Sequence, residues 1–447
     1  MKRVVTSLLL CVALGSNAQN AYTLQAAIDY ALANNGTHQN VILDQQLAEM
    51  KRKEIRGIGL PQIGGSFDVT NMFIIPTQLI PADAFDMSKF IPGLPSPAPG
   101  TYNAVQFGIQ YNATAGITAS QLIFSSDYIV ALQASKAYQE LSQVNVNRSA
   151  VETKVNVTKA YYNVLVSRER SKMLDIQLTK LKKLQEDVKV MNENGLVEKL
   201  DLDRITLAYN NLLAEQEKVA KLVGLTEYLL KFQMGLNLNE AMSLSDSLAP
   251  VESAQIANPV SNYAGRYDYV MAETALKLQG LELRRQKLKY LPTLAAFGTY
   301  SQSAMRPELN LFADEKWYPT GILGIKMSIP IWDGGQTYFI RQQARLNVTK
   351  AENNLKMMKS AVDLEVQSST TIYNNAVVSL NTQKKNIDLA KEVYDATKVK
   401  YEQGVGSISE VLDAETALKE AHINYYDALY QYHVAKAEYD KATGTIK

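Results

Sequence analysis

The stretch Tyr401–Ala442, YEQGVGSISEVLDAETALKEAHINYYDALYQYHVAKAEYDKA, carries two parallel seven-residue series. Val411, Leu418, Tyr425, Tyr432 and Tyr439 form one; Ala414, Ala421, Ala428, Ala435 and Ala442 follow three positions later. Apolar residues at this spacing predict a long helix seamed against a neighbour in coiled-coil fashion. The all-alanine flank admits that neighbour at close range, while the leucine and tyrosines supply the knobs.

The segment before it obeys the same rule. From Gln336 to Gln403 there is neither proline nor glycine, and Val366, Tyr373, Leu380, Ile387, Tyr394 and Tyr401 recur every seven residues up to Gly404. Earlier in the chain, Ser126–Asn194 also lacks proline and glycine, with Leu174, Leu178, Leu181 and Val188 at coiled-coil spacing. As one helix it would be about 100 Å long. Gly195 ends it, and Val197–Val223 reads as a returning helix. Near the start, Thr23 is placed to cap a helix whose Leu24, Ala27, Ile28, Ala31 and Leu32 share a face, and a second helical run reaches about Arg56.

Between the helices the period changes to two. Ile63, Phe67, Val69 and Phe73 alternate with polar residues, predicting a half-buried strand, and residues 105–120 alternate as a second, longer strand. Between these, Ile75–Gly100 holds six prolines and reads as a loop. After a helix ending near Tyr290, a weakly patterned strand follows, and Leu323, Ile325, Met327, Ile329 and Ile331 mark the last strand. LPQI at Leu60–Ile63 is answered by LPTL at Leu291–Leu294. Seventy-two residues separate Ile123 from Gly195, and 73 separate Ile331 from Gly404. This spacing predicts an internal duplication: a first repeat over 19–234, a turn-rich connection over 235–264 and a second repeat over 265–447. The first half carries about 23 extra residues between its strands, the proline-rich loop.

Lys2 and Arg3, the apolar run Val4–Leu14 and the small residues before Gln19 predict an export signal over 1–18. The one cysteine, Cys11, lies inside it, so disulfides and cysteine catalysis are not expected of the mature chain. Forty-six Lys and Arg balance 45 Asp and Glu, with no basic stripe, and nucleic acid is not expected as a partner. Nucleophile, metal-cluster and cofactor-loop signals are all lacking, so neither an enzyme nor a cofactor is predicted. His422 and His433 lie about 16 Å apart along one helix, too far to share an ion, and read as solvated or lumenal. Trp317 and Tyr318 are candidate anchors at a membrane interface.

Four amphipathic strands cannot close a membrane barrel alone, since single-chain outer-membrane barrels start at eight. Open edges in lipid would leave backbone groups unpaired, so strands from other copies are required. An α+β membrane protein results: strands shared among copies, with helices too long for a globular core continuing as a tube. The competing reading is an exported periplasmic coiled-coil scaffold without a pore.

The LxxAIxYALxNN opening at Leu24–Asn35, LPQI and LPTL, SIPIWDGG at Ser328–Gly335 and above all YEQGVGSISEVLDAETAL at Tyr401–Leu418 resemble the TolC-type outer-membrane efflux channels. The resemblance implies a homotrimer with a twelve-stranded barrel in the lipid of a Gram-negative outer membrane. It also implies a helical barrel reaching into the periplasm to meet a periplasmic adaptor and an inner-membrane transporter, proton-driven or ATP-driven, in an efflux or type I secretion system. Such a duct is passive. Residue by residue, the family's closed tip uses a tyrosine, matched by Tyr401, and an aspartate, matched by Asp201. Its acidic ring around the pore is matched by Glu410 and Asp413, which three copies would crowd together in favour of cations. The family's arginine is Gly406 here, and Arg204 or Lys199, close to Asp201 in sequence, is a candidate to replace it. Gly195, Leu196, Val197 and Gly404, Val405, Gly406 match its adaptor-docking turns. Helix termination alone also accounts for these glycines, and dipole complementation alone accounts for acids in a first turn.

Overall fold

The computed structural model describes residues 21–85, 88, 90–96, 98, 100–248, 255–256, 260–310 and 313–446. The export signal predicted over 1–18 lies outside them, as do Pro97, Pro99, Pro250 and Pro259. The chain forms two compact units, one of residues 1–48, 139–277 and 349–447 and one of residues 49–138 and 278–348.

In chain order the elements are β1 (Ala21–Tyr22), α1 (Leu24–Asn34), α2 (Gly36–Ile58), β2 (Gln62–Asn71), β3 (Thr77–Pro81), β4 (Tyr102–Gln106), β5 (Tyr111–Phe124), α3 (Ser126–Glu193) and α4 (Lys199–Met234). Then follow β6 (Ser243–Leu244), α5 (Tyr267–Lys287), β7 (Thr293–Arg306), β8 (Tyr318–Ser328), α6 (Gln336–Glu402) and α7 (Ile408–Ala442). Thr23 Oγ1 accepts from Ala26 N and caps α1. At the WDGG turn, Asp333 accepts locally from Thr337 N at 3.0 Å, as a cap on α6, and at longer range from the Tyr290 hydroxyl at 3.0 Å.

The first unit is helical. Ala27, Ile28 and Ala31 of α1 pack on Val157, Tyr161 and Val164 of α3 and on Leu230 and Met234 of α4. The Tyr161 hydroxyl donates to Tyr22 O and to Asp246 Oδ2, which also accepts from Leu24 N, so the buried phenol pins the chain's entry. Most positions of both seams are buried, with Ile387, Tyr401, Tyr425 and Tyr439 half-buried. Tyr373, Val377 and Leu380 of α6 meet Ala428, Leu429, Tyr432 and Ala435 of α7, and the Tyr373 ring lies 5.7 Å from those of Tyr432 and Tyr439. Towards the helix turns, Leu174, Leu181 and Val188 of α3, Ile205, Leu212 and Val219 of α4, and Ile408, Val411, Ala414 and Leu418 of α7 form one core. His433 is half-buried: its ring stacks on Tyr162 at 3.6 Å, and burial, with Lys436 beside it, pulls its pKa down to about 4.

The second unit holds a four-stranded antiparallel sheet in the order β2-β5-β7-β8, leaving β2 and β8 as open edges. Register places Ile63, Ala119, Gly298 and Leu323 in one row and Phe67, Ala115 and Gln302 in another on the same face. The other face carries Gly64, Thr118 and Thr299, then Ser66, Gly116 and Ser301, with a hydrogen bond between the Thr114 and Ser303 hydroxyls.

Two expectations change here. The predicted single strand 105–120 is divided: β4 pairs with β3 in a separate hairpin, and β5 begins at Tyr111. Gly108, at φ +138°, turns the chain between them, a conformation side chains disfavour. The Ile75–Gly100 loop accordingly contains the strand Thr77–Pro81, with Pro81 at its end, where a missing donor is tolerated. Strand β2, expected to be half-buried, is exposed along all ten residues. The alternation in sequence is real, but nothing among the described residues covers its apolar side.

Candidate functional site

The two helix turns built from α3–α4 and α6–α7 share one hydrogen-bond pattern. Gly195 takes φ +74° and donates to Asn192 O, while Leu196 N donates to Met191 O at 2.9 Å. Gly404 takes the same φ and donates to Tyr401 O, while Val405 N donates to Lys400 O at 3.0 Å. Both are Schellman closures: a left-handed glycine lets the last carbonyls of the helix find donors. Such a closure throws the next side chain outwards, and Leu196 is 75% and Val405 79% exposed. Val197 instead folds back onto the helical core, its carbonyl accepting from Asn192 Nδ2.

Past the second turn, the Ser407 hydroxyl accepts from Glu410 N and caps α7. Glu410 and Asp413 are both exposed. Gly406 sits where a Cβ would fall 3.2 Å from Tyr401 N, so a side chain there would need the end of α6 to give by a few tenths of an ångström. Arg204 reaches the same turn from the other hairpin. From α4 it donates to Ser409 Oγ at 2.8 Å and lies 3.7 Å from Asp201 Oδ1, joining the first turns of α4 and α7. The Tyr401 hydroxyl is buried without a hydrogen-bond partner among the described residues, and burial, with the nearby Asp201 carboxylate, holds its pKa above the usual phenol range. Asp201, Tyr401 and Arg204 thus gather behind the turns, while Glu410 and Asp413 face solvent from the first two turns of α7.

Sequence reasoning missed the ion network behind them. Glu215 of α4 accepts from Lys419 of α7 at 3.1 Å and lies 4.0 Å from Arg170 of α3. Its members come from three helices, and no spacing within one segment announces it. Among the described residues, no group of three or more His, Asp or Glu side chains is placed to hold a metal ion, and no helix is long and apolar enough to cross a membrane.

Comparison with known proteins agrees with this anatomy. Residues 268–445 match the family model for outer membrane efflux proteins. The chain is 24% identical over 349 residues to outer membrane protein TolC of Escherichia coli, covering 76% of this chain and 71% of TolC. It is also 24% identical over 206 residues to the alkaline protease secretion protein AprF of Pseudomonas aeruginosa, covering 44% of this chain and 40% of AprF. Among solved structures, the Campylobacter jejuni CmeC outer membrane channel superposes with a TM-score of 0.76 at 17% identity, over 94% of this chain and 85% of that one, and shares its fold.

Proposed function

We propose that this chain, which belongs to the outer membrane efflux protein family, is an outer-membrane exit channel for an efflux or secretion system. One observation supports this above the others: a four-stranded sheet whose open-edged, apolar face is bare in the single chain, with Ile63 74% and Leu323 90% exposed. Water would penalise such a face by roughly 25 cal/mol per Å²; lipid does not. The edges β2 and β8 need partners wherever water is excluded. Three copies contributing four strands each close a twelve-stranded barrel, with the polar face towards its lumen. A periplasmic scaffold would have no use for this apolar face.

In this reading residues 19–234 and 265–447 are repeats joined by 235–264, which accounts for the identical closures at Gly195 and Gly404. The helical unit supplies the periplasmic conduit. Leu196 and Val405, with their flanking glycines and Val197, dock an adaptor that couples the duct to an inner-membrane pump. Asp201, Tyr401 and Arg204 hold the turns together, and the carboxylates of Glu410 and Asp413 line the constriction.

Planar-bilayer recording tests the pore assignment. The wild-type channel is expected to prefer cations, because six carboxylates would ring the constriction in a trimer. Glu410→Gln with Asp413→Asn should lower that preference severalfold while single-channel events persist. Unchanged selectivity would remove these residues from the pore, and the absence of any conductance from the wild-type protein would remove the channel.

A further inference from the structure

At one end of the four-stranded sheet the chain passes between strands and helices at Gln62, Phe124, Thr293 and Ser328. Hydrogen bonds hold these junctions together. The Tyr128 hydroxyl donates to Arg56 O at 3.2 Å, the Ser126 hydroxyl to Leu288 O at 2.9 Å and the Tyr290 hydroxyl to Asp333 Oδ1 at 3.0 Å. The apolar face does not stop where the strands do. Leu323, Ile325 and Met327 of β8 are continued by Ile329 and Ile331, the latter 90% exposed, and the next residue, Trp332, is 67% exposed. Leu60, Ile123 and Leu291 are exposed at the same junctions, and the exposed Phe339 ring stands edge-on to Tyr338 at 5.3 Å in the first turn of α6. An aromatic and aliphatic fringe of this kind suits the edge of a hydrocarbon layer.

Just beyond the fringe the charges are unbalanced. Glu49 and Glu54 pair with Lys53 and Lys51, Asp127 and Glu282 both face Arg285, and Asp333 is occupied by Thr337 and Tyr290. Arg56, Arg284, Lys287, Lys289, Arg341 and Arg345 have no carboxylate partner among the described residues, and all but the half-buried Arg341 are exposed. Arg284 donates only to the neutral amide of Gln133, and Arg341 lies over the Tyr338 ring at 5.8 Å. Helix dipoles account for cations in the last turns of α2 and α5, but not for Arg341 and Arg345 near the N-terminal end of α6. These two lie about 8 and 14 Å along α6 from Gln336. Helical side chains lean towards the N-terminus, here towards the fringe. A headgroup layer is about 5–8 Å deep, so Arg341 stands at its level and Arg345 reaches back to it.

We propose that this rim binds anionic phospholipid of the periplasmic leaflet. Acyl chains lie against Ile331, Trp332 and Phe339, and headgroup phosphates accept from Arg341 and Arg345 and, at the neighbouring junctions, from Arg56 and Lys287. The inference rests on the reading of the sheet as part of a membrane barrel. An anionic lipid matches both halves of the rim at once, whereas a soluble acidic partner would leave the apolar fringe bare.

Electron paramagnetic resonance of the full-length protein in phosphatidylcholine vesicles with a trace of spin-labelled lipid tests it, since lipid held at the protein surface gives a motionally restricted signal. A cation at a membrane surface strengthens anionic-lipid binding roughly fivefold. Averaged with the leaflet that meets no rim, spin-labelled phosphatidylglycerol should be favoured about threefold over spin-labelled phosphatidylcholine. That preference should fall to near unity in about 1 M salt, where charges are screened within a few ångströms. It should fall equally in the combined variant Arg56→Gln, Lys287→Gln, Arg341→Gln and Arg345→Gln, with the number of restricted lipids per trimer unchanged. Equal restriction of the two lipids by the wild type, or a preference that survives the combined variant, would overturn the rim while leaving a lipid-facing barrel. No restricted signal from either lipid would remove the barrel reading and the rim with it. Inorganic phosphate should displace no more phosphatidylglycerol than chloride does at matched ionic strength; stronger displacement would assign these cations to free phosphate. Loss of the trimer on unheated gels in the combined variant would place them between copies instead.

Discussion

Leu323→Arg is expected to abolish assembly in the outer membrane. Leu323 ends the row Ile63, Ala119, Gly298, Leu323 that crosses all four strands on the apolar face, and it is almost wholly exposed in the single chain. An arginine on the lipid side of a barrel costs about 2–4 kcal/mol near the bilayer midplane. A trimer would carry that penalty three times, so roughly 6–12 kcal/mol, comparable to the whole stability of an ordinary domain. The neighbouring residue supplies the control. Ile322 shares the polar face with Gly64, Thr118 and Thr299, so Ile322→Arg should assemble at near wild-type levels. Membrane fractionation and unheated gel electrophoresis read both variants. A Leu323→Arg trimer at wild-type abundance would mean that this face does not meet lipid.

The contrast between those two residues shows how far the sequence could be read unaided. Alternation fixed which residues of β8 share a face, because a strand's side chains have a period of two, and it would have been wrong everywhere had the register slipped by one. Alternation could not report whether the apolar face is covered, since burial in a partner, a core or lipid all write the same pattern; β2 was thus expected to be half-buried and is bare. The long helices were equally legible: heptads at Val411, Leu418 and Tyr432 are buried, as a seam requires. The break at Gly108 was not, since apolar residues continue in alternation through Phe107 and Ile109 and only the positive φ reveals the turn. At the helix turns, the glycines announced the closures, whereas the Arg204 contact to Ser409 joins residues 205 positions apart, a distance no local pattern spans.

Leu196→Asp combined with Val405→Asp is expected to abolish transport while leaving a trimer in the outer membrane. Both side chains are carried outwards by the glycine closures and are exposed, so neither supports the folded chain and their loss should cost it within about 0.5 kcal/mol. An apolar side chain presented on a rigid turn is suited to fill a partner's pocket, and burying an unpaired carboxylate there costs more than the lost contact itself. With two positions per copy, each worth about 2 kcal/mol, adaptor affinity should fall more than a hundredfold. A single cysteine at Leu196 or Val405, in a chain whose one native cysteine lies in the predicted signal, provides the direct measurement. Cross-linking in intact cells should capture a periplasmic adaptor from either position, and neither capture nor substrate export should survive the paired aspartates. Export that continues undiminished through the doubly substituted trimer would place docking elsewhere and return Gly195 and Gly404 to helix termination alone. Replacing either glycine with alanine separates the two roles: positive φ disfavours any Cβ there, so the closure should loosen by about 1 kcal/mol even where no adaptor is present.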